Sequence, residues 1–224
     1  MKRFLGLISA MSLVSAAAAG TWVEQPPDAG DGLIDPPQVV MGAGPLTAIS
    51  GSTNSAAGDH TDAYLIRITD PAAFYATTNP DFDSNAFADF DTRLWLFDTS
   101  GNPIVGNDDW PGGSPFRSLI TDAASWPGPG AVNDNPPPIT PGDYILIISG
   151  FSNDPEDAAF NDLIDLGDFS ALNGPNPAAG AFDHWDNTSP ASGNYTIALG
   201  GAAFVPEPAS LALLALGALA LRRR

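Results

Sequence analysis

The sequence predicts an all-β fold, a single antiparallel sandwich, and three observations predict it. Short runs of apolar residues recur with a two-residue period, the spacing that puts every second side chain on one face of a strand. Asp-Pro, Ser-Gly-Asn, Pro-Gly and Asn-Asp clusters separate these runs and supply turn chemistry. No long stretch shows the 3.6-residue period of a helix.

Taken in order, residues 20–44 are rich in Gly, Pro and Asp with few apolar residues, and read as an irregular acidic lead-in. A sandwich domain follows over 45–204. In Asp62 to Thr69, Tyr64, Ile66 and Ile68 alternate with Leu65 and Arg67. Thr92 to Phe97 repeats the pattern, with Leu94 and Leu96 on one face and Arg93, Trp95 and Phe97 on the other. Tyr144 to Ser149 is apolar on both faces, as a central strand covered twice would be, and Tyr195 to Leu199 aligns Tyr195, Ile197 and Leu199. Shorter strands are expected at Leu46 to Ser50, Phe74 to Thr77, Ile104 to Val105 and Ser118 to Thr121. The stretch from Asn153 to Asn187 reads as a long loop in which Phe160, Leu163 and Ile164 mark one short helical turn.

The two ends carry a different signal. Lys2 and Arg3, an apolar run from Phe4 to Val14 and the small residues Ala16 to Gly20 have the order of a secretory signal peptide, residues 1–19. At the other end Pro206, Glu207 and Pro208 precede an apolar stretch from Leu211 to Leu221 and then Arg222, Arg223 and Arg224. Prolines block a helix arriving from upstream, Leu and Ala favour one downstream, and terminal arginines stay on the cytoplasmic side. This tail, 205–224, resembles the PEP-CTERM sorting signal. The resemblance implies an exported protein, a short transmembrane helix and an exosortase-type processing enzyme as partner. Leu211 to Leu221 would cover roughly 17 Å at ~1.5 Å per residue, short of the ~30 Å hydrocarbon core, which suits transient anchorage in the inner membrane.

A second resemblance lies in the body of the chain. Asp62 and Tyr64 to Ile68, Thr92 to Asp98, Gly101, Asn107, Asp108 and Asp109, then Gly142, Asp143 and Tyr144, look like the bacterial pre-peptidase C-terminal domain and its relatives in PEP-CTERM proteins. The resemblance implies a jelly-roll-like sandwich, used as an accessory or adhesive module and sometimes calcium-bound, with no catalytic residue. Metal-tied N-terminal segments occur in that family.

Without the two ends, only Arg67, Arg93 and Arg117 remain against 25 acids, a formal charge of −22. Nucleic acid and anionic surfaces are poor partners for such a body, and divalent metals or polycations are better ones. There is no cysteine, which excludes disulfides, thiol nucleophiles and zinc-thiolate sites. Calcium takes several hard oxygens from loops, and Asp98, Asn102, Asn107, Asp108 and Asp109 form the best candidate set. Turn chemistry competes for the same residues. Asp28 and Asp31 are candidates for additional ligands from the lead-in. Asp81, Asp83 and Asn85 begin like an EF-hand loop, but Ala86 and Thr92 stand where Gly and Glu are needed, so no EF-hand is expected.

His60 and His184 are isolated in polar stretches, and neither a Gly-x-Ser-x-Gly elbow nor a His-Glu-x-x-His helix accompanies them. The expectation is a non-catalytic exported protein of the envelope or extracellular matrix, with exopolysaccharide or other matrix components as partners. A lectin-like module stacking sugars on Trp95, Trp110, Trp126 and Trp185 is the alternative, and a polysaccharide hydrolase ranks third.

Overall fold

The structure, a computed structural model, describes residues 19–128, 131–186 and 190–207. Among these the strands in chain order are β1 (Gly20–Val23), β2 (Gln38–Val39), β3 (Leu46–Ser52), β4 (Thr61–Ile68), β5 (Tyr75–Thr77), β6 (Phe87–Ala88), β7 (Thr92–Asp98) and β8 (Pro103–Asn107). They continue with β9 (Leu119–Thr121), β10 (Val132–Asn133), β11 (Gly142–Gly150), β12 (Pro155–Asp157), β13 (Leu172–Asn173), β14 (Phe182–Trp185), β15 (Asn194–Gly200) and β16 (Ala202–Ala203). The described helices are three single 3-10 turns, and no helix among the described residues is long and apolar enough to cross a membrane. The expected tail helix and nearly all of the expected signal peptide lie outside the described residues.

Two large sheets carry the fold. The first has the order β1-β3-β15-β5-β9, with β6 also on β15, and the second runs β10-β13-β8-β7-β11-β4-β16, with β2 also on β4. At the centre of the second sheet β11 pairs antiparallel with both β4 and β7, which sets Leu146 beside Tyr64 on one side and Leu96 on the other. The period of two then sorts the side chains. Tyr64, Ile66, Ile68, Leu94, Leu96, Leu146 and Ile148 join Leu46, Ile120, Ile197 and Leu199 of the first sheet in the main core. Their neighbours Ala63, Trp95, Phe97, Ile145 and Ile147 point the other way into a second core. Each fully buried large side chain contributes about 1.5–3 kcal/mol relative to exposure, so both faces of this sheet are stabilised by burial.

The second core corrects the expectation for Asn153 to Asn187. Its described residues form no helical turn; they hold β12, β13 and β14, and Leu163, Ile164 and Leu166 cover the outer face of the second sheet. Phe160 does not share that face. It is 75% exposed with φ +62°, so its three-residue spacing from Leu163 was not a helical stripe. Residues 20–44 also depart from an irregular lead-in. β1 pairs parallel with β3 and β2 parallel with β4, so both sheets recruit the segment through backbone hydrogen bonds that a Gly- and Pro-rich composition conceals. These pairs, with β10 and β13, add parallel edges to an otherwise antiparallel sandwich.

The chain leaves the sandwich close to where the described part begins. Phe204 N–H donates to the Gly44 carbonyl, Val205 N–H to the Val40 carbonyl and Gly42 N–H to the Val205 carbonyl. The Phe204 ring lies on Gly20 and Gly42, where an added Cβ would come within 2.9 and 2.8 Å of it. Glycine is needed there for close approach alone.

Candidate metal centre

The five residues expected to bind one ion do not converge. Asp98 and Asn102 occupy the tight turn between β7 and β8. Asp98 Oδ1 accepts from Ser100 N–H (2.8 Å) and Asn102 N–H (2.9 Å), and its Oδ2 accepts from Asn102 Nδ2 (2.7 Å). Partial burial raises the Asp98 carboxyl, but these hydrogen bonds outweigh it and leave the group below its ordinary value. Asn107, Asp108 and Asp109 lie at the far end of β8, whose five residues span roughly 16 Å at ~3.3 Å each. Asn107 is a buried clamp: its Nδ2 donates to the Ala171 carbonyl at 2.7 Å and its Oδ1 accepts from Leu119 N–H at 2.9 Å. Asp108 Oδ2 is held by Arg93 Nε at 3.0 Å. Of the set, Asp108 and Asp109 stay together, joined by Asp91.

The lead-in builds another centre. Glu24 follows β1, whose parallel pairing with β3 carries the chain along Ser50 and lets Glu24 Oε2 accept from Ser52 N–H at 3.1 Å. Asp28 stands a few residues further on, between two surface cavities of 360 and 460 Å³. Asp62 comes from β4, on the same inward face as Tyr64 and Ile66. One carboxylate oxygen of each of Glu24, Asp28 and Asp62 lies within 4.8 Å of the others. Oxygens bound to one calcium at 2.3–2.6 Å fall within about 5 Å of each other, so the spacing fits.

Asp62 is fully buried, and its two oxygens differ. Oδ2 accepts from the Tyr195 hydroxyl at 2.5 Å, and Tyr64 reaches the same hydroxyl at 2.6 Å. Since Tyr195 donates to Asp62, Tyr64 donates to Tyr195. Oδ1 is buried with no hydrogen-bond partner, and so is Oδ1 of nearby Asp59. Burial, aided by the charges of Glu24, Asp59 and Asp28, outweighs the Tyr195 hydrogen bond and pushes the Asp62 carboxyl up to about 9. Burial and Asp28 raise Asp59 to about 6, and burial also raises Glu24. Three acids held at this spacing, with the charge of Asp59 nearby, favour either protons or a cation.

Asp28, expected as an additional ligand, is thus part of the centre, whereas Asp31 is not. Asp31 Oδ1 accepts from Leu33, Ile34 and Asp35 N–H, which makes it a turn residue. The acids of the abandoned EF-hand pattern are likewise engaged, Asp81 with Ser114 and Asp83 with Tyr75 and Asn85. His60 and His184 line the smaller cavity, and His184 also meets Glu156 and Asp183 at 3.1 Å. The four tryptophans form no common sugar-stacking face. Trp95 is fully buried with its Nε1 on Ser149 Oγ, Trp185 packs beside it, Trp126 packs on the main core and Trp110 meets Phe82.

Residues 204–224 match the PEP-CTERM protein-sorting motif. The motif marks an exported protein that is held transiently at the envelope and sorted by an exosortase. No curated protein matches the chain.

Proposed function

We propose that the chain is a non-catalytic exported protein of the cell envelope or extracellular matrix, built on a calcium-stabilised sandwich that resembles the pre-peptidase C-terminal domain. The observation that carries the calcium reading is the buried, unpartnered Oδ1 of Asp62 beside Glu24, Asp28 and Asp59. An unsatisfied buried polar atom costs about 1–3 kcal/mol, and more when charged, so the sequence would not retain this arrangement in the core for packing alone. A divalent cation resolves both the unmade bond and the repulsion among the acids.

The remaining parts of the reading rest on the ends and the charge. Removal of a signal peptide after Ala19 would leave β1 intact, since that strand begins at Gly20. The tail addresses the protein to an exosortase-type enzyme in the inner membrane, and the acidic body is suited to a hydrated matrix of exopolysaccharide bridged by calcium. Function is then a matter of binding and position.

Calcium should raise the midpoint of thermal unfolding and a chelator should lower it. A folded-state site stabilises by ~2.7 kcal/mol when free ion stands a hundredfold above its dissociation constant. Sodium at matched ionic strength should do much less, because screening differs from site binding. Asp62→Asn keeps the shape and the Tyr195 acceptor while removing the ionisable group, and should leave a folded protein with a reduced calcium response. Equal shifts with calcium and sodium would overturn the reading.

A further inference from the structure

Asp91, absent from the expected ligand set, meets Asp108 and Asp109 through the pairing of two strands. Asp91 lies just ahead of β7, while Asp108 and Asp109 follow β8. Because β7 and β8 are antiparallel, with Leu94 opposite Asn107, all three acids come to the same end of the second sheet. One carboxylate oxygen of each lies within 4.8 Å of the other two. Oδ1 of Asp91, of Asp108 and of Asp109 is in each case buried with no hydrogen-bond partner. Asp108 is only 1% exposed.

Turn chemistry does not account for this. Asp31, Asp98 and Asp157 show what a turn aspartate does here, each with an oxygen accepting at least two backbone N–H groups. Arg93 does not complete the balance either. Its Nε and Nη2 hold Asp108 Oδ2 at 3.0 Å and its Nη1 holds Asp154, so even with the more distant charge of Arg117, which acts on Asp91 and Asp109, two cations face four carboxylates. Arg117 spends its Nη groups on the carbonyls of Phe116 and Ala88.

We propose that Asp91, Asp108 and Asp109 form a second site for a hard divalent cation of the calcium class, separate from the lead-in centre. Three carboxylates at this spacing fit Ca–O distances of about 2.3–2.6 Å, and calcium tolerates the irregular geometry that loops provide. The ion would also lock three loops. Asp109 donates its N–H to the Phe169 carbonyl, the Asp91 carbonyl accepts from Phe151 N–H, and Thr92 N–H, next to Asp91, donates to the Phe116 carbonyl. Phe116, Phe151 and Phe169 are all exposed, so the site sets the position of three surface aromatics from separate parts of the chain.

The count of calcium ions bound per exported mature chain, by equilibrium dialysis or calorimetry, tests the site. The parent should bind two. The double variant Asp91→Asn/Asp109→Asn should bind one, with affinity at the lost site down at least tenfold, and Glu24→Gln/Asp28→Asn should also bind one but lose the other. Asp108 is left intact to preserve the Arg93 pair. If only the lead-in reading fails, the parent binds one ion, which Asp91→Asn/Asp109→Asn abolishes and Glu24→Gln/Asp28→Asn keeps. A folded Asp91→Asn/Asp109→Asn protein that binds as many ions as the parent overturns the proposal, and so does a parent that binds none. Should that double variant fail to fold, Asp109→Asn alone is read with terbium luminescence excited through Trp110. Loss of the signal supports the site and an unchanged signal overturns it.

Discussion

Arg93 and Arg67 both pair with carboxylates, and their surroundings give the two pairs different weights. Arg93 is 4% exposed between Asp108 and Asp154, whereas Arg67 and Asp143 stay 39% and 31% exposed at their 2.7 Å contact. Arg93→Ala strands the buried Asp108 and the partly buried Asp154 and should destabilise by about 3–5 kcal/mol, read from the urea midpoint. Asp143→Asn should cost less than about 1 kcal/mol, because solvent screens the pair. Its pH dependence has a definite sign. The Arg67 hydrogen bond holds the Asp143 carboxyl below its unfolded value of 3.8, so the contribution is full above pH 3.8 and disappears as pH falls through the lower folded value. Parent and Asp143→Asn should therefore differ at pH 7 and converge in strong acid. Legibility also differs residue by residue. Asp62 could have been found, since the two-residue period that places Tyr64 and Ile66 inward places this acid inward with them. Nothing local marks Asp91, which owes its role to a pairing between β7 and β8 that brings residues some 17 positions apart to one end. Asp98 looked like a ligand because turn chemistry and calcium chemistry use the same side chains.

At the scale of elements, the long strands and the short β5, β8 and β9 were legible, and the two-residue strands were not. β4, β7 and β11 send alternate side chains into the two cores, and β15 sends Tyr195, Ile197 and Leu199 into the main one, which leaves a mark in the sequence. β2, β6, β10, β13 and β16 have two residues each, too few to show a period, and tertiary pairing alone makes them strands. The doubly apolar β11 correctly required cover on both faces, but the cover came from a segment with no period of its own. That outer layer depends on close fit. An added Cβ at Gly106 would stand 2.7 Å from the Trp95 ring and 3.3 Å from Ile164. Gly106→Ala should therefore destabilise by about 1–3 kcal/mol through overpacking, visible in the thermal midpoint. Leu163→Ala should cost about 2–5 kcal/mol by opening a cavity in the same layer. If both are neutral, the 153–186 segment does not cover the sheet in solution.

For the whole molecule, sorting and charge act together. Deleting Leu211 to Arg224 should move the protein from the envelope to the soluble exported fraction in a host with the matching enzyme; unchanged fractionation would count against a sorting role. The composition already indicated export and an acidic body, but how the body joins its tail depended on contacts between distant segments. Phe204 rests on Gly20 and Gly42, and Val205 is bonded to Val40 one residue before Pro206. Gly20 and Val205 thus lie at one pole of the described body, and Pro206 of the sorting motif follows directly. A compact body of this size has a radius of gyration near ~16 Å, so a tail held at the envelope would confine the sandwich to a thin layer beside it. Like charge repels it from anionic headgroups only within about 8 Å, enough to tilt the body without lifting it away. A cut in the tail would release the body from that layer, so sorting at this one joint would decide whether an acidic surface of this charge is confined to the envelope or free to diffuse away from it.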